Sequence, residues 1–204
     1  MSMSEKSRHP SIEVQAALDQ LAEEVTAGRG ALRLAALATI AGHEPQVRNV
    51  IIRRFTQPRL SLTFFCRADD AKFGEIASNP AVELVCYERH PDRQIRLAGT
   101  AATITGEVKL DALWAEVNPL ARRDYVLSAA DDPASRRDAA AHADAGGDLH
   151  DSEAAQQQAE RERTVIVSVT RAPLFRAVEV TIRRVQLLTF AEDRWIPHLY
   201  LPAH

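Results

Sequence analysis

The stretch "RNVIIRRF", Arg48 to Phe55, sets three arginines around four apolar side chains, and Lys72 follows in "DDAKFGEIASNP". Cations at the ends of a strand-like apolar run either sit in water or face an anion. Phosphate suits these residue types: arginine offers a planar fork for two oxygens, lysine a compact charge. Lys72 falls in the first turn expected after a strand-to-helix junction, where free backbone N–H groups also favour an anion. Asp69 and Asp70 fit such a site only if they cap the helix and point away from it. On spacing alone, solvated charges at strand ends are the simpler account. The elements that position these residues must decide.

Residues 11–27 read as an amphipathic helix, with Ser11 as cap, Glu13 near the positive end of the dipole, and Val14, Leu18, Leu21 and Val25 on one apolar face. "GRG" breaks it. "ALRLAALATI" reads as a strand with Leu32, Leu34, Ala36 and Ile40 on one face; "QVRNVIIRRF" and "LSLTFFC" follow across turns at "AGHEP" and "TQPR". A short helix before Asn79–Pro80 leads to two more strands, "AVELVCYE" and "RQIRLAGTAATIT". "VKLDALWAEV" has Leu110, Leu113, Trp114 and Val117 at helical spacing. Trp114 and Trp195 are both expected in the core. Residues 131–163 carry almost no large apolar side chain, which predicts a mobile insertion. Strands resume from "TVIVSVT" to "RWIPHLYLP". Six or seven strands on tight turns, with two or three helices, predict one domain over residues 1–204. Its fold class would be mainly β (α+β), an antiparallel barrel with flanking helices.

A formal net charge of -3 argues against a general nucleic-acid binder. No apolar run approaches the roughly 18 residues of a membrane span, and the N-terminus lacks the apolar core of a secretory signal. Cys66 and Cys86 sit in apolar surroundings without a CxxC pair, which predicts buried free thiols and a cytoplasmic, reducing compartment. No histidine spacing suggests a metal site.

Taken in order, "RNVIIRRF" and "LTFFCRADDAKFGEIASNPAVELVCYERHPDRQIRLAGTA" resemble the pyridoxamine 5'-phosphate oxidase family, the FMN-binding split barrel. The pattern is an Arg-x-Val-x-x-Lys/Arg strand, a short helix with a basic residue before an Asn-Pro turn, and a Gln-x-x-x-x-Gly strand. It covers residues 30–105. The resemblance implies FMN as cofactor, with Arg48 and Lys72 on its phosphate and Asn49, Val50 and Ile51 presenting backbone groups to the ring. Arg53, Phe65 and Cys66 would line the cofactor, Gln94 would hydrogen-bond the flavin, and Arg184 matches a flavin-contacting arginine. It also implies a homodimer with cofactor at the interface. On a regular strand Arg48 and Arg53 face opposite sides. Both can serve one flavin only if the strand bends or the site lies between subunits.

Two departures bear on activity. Asp70 and Ala71 stand where the family usually has Ser, Thr or Arg before the lysine, and "TIRRVQLLTF" lacks the histidine of the Arg-x-His substrate motif. The expected function is an FMN-dependent oxidoreductase of unassigned substrate, without an evident general acid or base. The alternatives are a flavin- or nicotinamide-linked reductase and a non-catalytic module for FMN or haem.

Overall fold

Ser11 ends the N-terminal approach and starts α1 (Ile12–Ala27): its hydroxyl accepts the Val14 N–H at 3.3 Å. Gly28, in the left-handed region at φ 68, closes the other end with its N–H on the last carbonyls. Val14, Ala17, Leu18, Leu21 and Val25 are buried, as the periodicity requires. Ser11→Ala should lower the melting free energy by about 1 kcal/mol, the usual worth of an N-cap. Thermal denaturation measures it, and an unchanged Tm would mean that water caps the helix equally well.

The computed structural model describes residues 9–57, 59–125, 171–191 and 193–202. The expected insertion at 131–163 and the expected strand at "TVIVSVT" lie outside them. Seven antiparallel-paired strands follow α1: β1 (Leu34–Ala41), β2 (Glu44–Thr56), β3 (Ser61–Arg67), β4 (Ala81–Arg89), β5 (Asp92–Thr103), β6 (Phe175–Ala191) and β7 (Arg194–Tyr200). Their order is β3-β2-β1-β4-β5-β6-β7, and a further β3–β6 pairing closes the first six into a barrel. α2 (Ala71–Ser78) packs against β1 and β5, and α1 against β2 and β7. The expected mainly β barrel with flanking helices is what forms.

Contacts sort the chain into two units. The first comprises Met1–Cys66, Ala71–Ile104 and Ala177–His204; the second comprises Arg67–Asp70 and Thr105–Arg176. In the first unit, one continuous core joins α1 to the inward faces of the strands, with Leu37, Ile52, Phe64, Leu84, Ile95, Leu97 and Ile182 fully buried. β1 turns Ala35, Leu37 and Thr39 inward, so Leu34, Ala36 and Ile40 form the outer face. Both faces of that strand are apolar, and alternation alone could not choose between them.

In the second unit, α3 (Glu107–Ala115) buries Leu110, Leu113 and Trp114, and a 3-10 helix covers Pro119–Tyr125. Trp114 meets Tyr125 and Phe175 edge-on at 5.9 and 5.2 Å, and the Arg122 guanidinium lies 5.1 Å from its ring. Trp114 is core, as expected. Trp195 corrects its expectation: it is 46% exposed and rests edge-on against Phe190 on the β6–β7 hairpin.

Candidate functional site

Three residues of three elements meet beneath α2. Arg48 on β2 lies opposite Leu37 of β1, which places its side chain on the inward face together with Thr39. Glu75 reaches the same point from α2. Its Oε2 accepts from Arg48 Nη2 at 2.7 Å and from the Thr39 hydroxyl, and Thr39 Oγ1 accepts from Arg48 Nη1. Lys72 sits one helical turn before Glu75 and is only 9% exposed. Burial pushes its ammonium below the ordinary lysine range; the Arg48 charge acts in the same direction, while Cys66 and Glu75 oppose it.

Arg48 and Lys72 therefore lie near enough for the charge of one to act on the other. Formal charges leave the trio Arg48, Lys72 and Glu75 with one net positive charge. Burial penalises the charge of Lys72, so an anion there would compensate it. The donor set fits a phosphate monoester: one guanidinium fork, one ammonium and one hydroxyl.

Sequence reasoning missed Thr39 and Glu75. A signal existed for each. Thr39 is a polar residue inside "LAALATI", and Glu75 is the acid three positions after Lys72, on the same side of a short helix. Asp69, by contrast, pairs with Arg67 in a bidentate bridge at 2.7 and 2.8 Å. Its carboxylate has a cation of its own.

The other candidates separate into distinct places. Val50 is buried in the core, whereas Asn49 and Ile51 turn outward, so it is their shared backbone that could serve a ligand. β2 pairs with β3 only from Ile52 to Thr56, which leaves the β3-side edge at Asn49–Ile51 outside that ladder. The register slips by one residue between Ile52 and Arg54, which makes Arg53 a bulge. The strand thus bends where a regular one would set Arg48 and Arg53 apart. Arg53 projects to 5.7 Å from the Phe65 ring centroid. Phe65 and Cys66 point to opposite faces of β3: Cys66 is buried on the core side, close enough to affect Lys72. Both cysteines are buried and outside any disulfide among the described residues, and burial raises the Cys86 thiol to about 12.

Gln94 and Arg184 lie elsewhere again. Both belong to the outer face of the sheet, where Arg184 reaches Glu83 at 3.3 Å and Arg96 holds the same carboxylate at 2.5 Å. Within one chain they do not join Arg48 and Lys72, which occupy the inward side. Leu34, Val47, Ile51 and Tyr87 are exposed on that outer face.

Comparison with known proteins gives this geometry a context. Residues 14–105 match the family model described as pyridoxamine 5'-phosphate oxidase, FMN-binding domain. A curated relative, the pyridoxine/pyridoxamine 5'-phosphate oxidase of Psychrobacter cryohalolentis, is 34% identical over 67 residues, which is 33% of this chain and 30% of that protein's length. Among solved structures, a pyridoxamine 5'-phosphate oxidase-related, FMN binding protein from Nostoc punctiforme superposes with a TM-score of 0.61 at 16% identity, covering 92% of this chain and 96% of that one. PhzG from Burkholderia lata, in complex with tetrahydrophenazine-1-carboxylic acid, gives 0.64 at 18% identity and covers 99% and 98% of the two chains. These structural likenesses bear on the fold, and the family model on the segment that holds Arg48, Lys72 and Gln94. Over residues 14–105, therefore, the chain is similar to the FMN-binding domain of pyridoxamine 5'-phosphate oxidase.

Proposed function

We propose that this protein binds FMN and acts as a cytoplasmic FMN-dependent oxidoreductase. The observation that carries this reading is the convergence of Arg48 and the buried Lys72 beneath α2. Bound FMN would supply hydride-accepting chemistry; the chain's residues would hold and orient it. Arg48 and Lys72 grip the phosphate, with Thr39 fixing the arginine fork. The β2 backbone at Asn49–Ile51 offers hydrogen bonds along an edge that β3 has left, and Arg53 with Phe65 flanks the same strand beyond the bulge.

Gln94 and Arg184 take part through a second copy of the chain. The outer face that carries them also exposes Leu34, Val47, Ile51 and Tyr87, apolar surface that a homodimer would cover. Such pairing would bring the outer-face groups of one protomer to the flavin held by its partner.

Purification with excess FMN tests the reading: a yellow protein with a flavin spectrum supports it, and a colourless one that leaves FMN fluorescence unchanged refutes it. Anaerobic addition of pyridoxamine 5'-phosphate, and separately of NADPH, then identifies the donor that bleaches the flavin. Bleaching by neither favours a binding module. Sedimentation of the loaded protein as a monomer would remove the role given to Gln94 and Arg184.

A further inference from the structure

The Arg48 guanidinium already has an anion. Glu75 Oε2 lies 2.7 Å from Nη2, and both groups share the Thr39 hydroxyl. Side-chain exposure is 24% for Arg48 and 10% for Glu75, so the pair is screened only in part by water. Lys72 stands on the same helix, one turn away, and feels both charges. This carboxylate already occupies the guanidinium face of Arg48 that a phosphate would need.

We propose that Glu75 is a resident counter-anion that phosphate must displace, so that cofactor binding is an exchange of carboxylate for phosphoryl on Arg48. The inference rests on the phosphate role given above to Arg48 and Lys72. Charge balance explains both halves of the exchange. Without cofactor, Glu75 offsets one of two neighbouring cations, of which Lys72 is buried and Arg48 partly so. With a phosphate dianion present, the same carboxylate adds a like charge, and the group of four becomes net negative unless Glu75 retracts. A residue that stabilises the empty protein thus weakens the loaded one. The cost falls on ligands with a phosphate and spares those without.

Glu75→Gln separates this role from simple positioning, because it keeps the shape and the bond to Thr39 while removing the charge. Flavin fluorescence quenching measures the Kd of the variant for FMN and for riboflavin, and thermal denaturation follows the cofactor-free protein. The expected result is FMN binding about tenfold tighter, the factor that one modest charge contact supplies, with riboflavin affinity unchanged and a lower Tm for the empty protein. FMN affinity that is unchanged or reduced overturns the proposal, since a carboxylate that merely aims Arg48 would strengthen phosphate binding. Should the glutamine variant fail to fold, Glu75→Asp retains the charge on a side chain one methylene shorter. It should tighten FMN binding by a smaller factor, and unchanged or weaker binding there overturns the exchange as well. Equal wild-type affinity for FMN and riboflavin is a different failure: it removes the phosphate reading itself, and this inference with it.

Discussion

Arg48→Ala should weaken FMN binding roughly 10- to 150-fold, about 1.5–3 kcal/mol, the range for a hydrogen bond to a charged group. Arg48 links β2 to both Thr39 and Glu75 in the cluster beneath α2. Its loss removes a two-pronged donor from the phosphate and leaves Glu75 beside Lys72 without its main partner. The phosphate would then meet a carboxylate no longer paired with a guanidinium, which places the effect towards the upper end. Riboflavin should bind both forms alike, because it lacks the group that Arg48 holds. Fluorescence titration of the two flavins against both proteins reads the difference directly. A variant that retains wild-type FMN affinity would show that the arginine serves only its bond to Glu75. Combining the substitution with Glu75→Gln in a double-mutant cycle then measures the coupling between the two side chains.

Gly99→Ala should cost about 3 kcal/mol of stability, at the upper end for an intruding methyl group. A Cβ at Gly99 would lie 2.2 Å from the Thr181 carbonyl oxygen, with further backbone of β6 at 3.0 and 3.1 Å. These are main-chain atoms of the neighbouring strand, and no rotamer change can clear them. The β5–β6 register slips between Ala98 and Gly99, which is where the two backbones crowd. For a chain of this length the loss corresponds to a Tm lower by roughly 6–12 °C. Calorimetry of the cofactor-free protein measures it. A Tm equal to the wild type would mean that β5 and β6 part locally at no cost. The glycine that closes the Gln-x-x-x-x-Gly pattern thus has a steric reason that needs no flavin.

How far the fold could be read beforehand depended on whether one face of an element was polar. α1 and α3 mix charged and apolar positions, so Leu18, Leu21, Leu110 and Leu113 fell where helical spacing put them. β1 is apolar throughout, and its inward set, Ala35, Leu37 and Thr39, is a matter of register with β2 and β4. Trp195 looked like core because tryptophan usually is; its place near the β6–β7 hairpin end leaves one side of the ring without a neighbouring strand. For the site, Arg48 and Lys72 could be named from an ordered pattern of residues. The spacing of Glu75 from Lys72 hinted at a pair on one side of α2, but its bond to Arg48 comes from α2 lying over β1, a tertiary contact. The bulge at Arg53 was equally hidden: it exists only in the pairing with β3. Gln94 and Arg184 were legible as residue types, but the face they take, opposite to that of Arg48, follows from the register of β5 and β6.

The closing strand of the barrel arrives late. β1 to β5 end at Thr103, yet β3 and β5 must both wait for β6, whose first residue is Phe175. During synthesis at about 5–20 residues per second, the edges of β3 and β5 would stay unsatisfied for several seconds after they leave the ribosome. Distant pairings of this kind slow folding and expose strand edges to other chains. A nascent chain stalled between those points is the form of this protein most prone to aggregate, and chaperone capture should be strongest there.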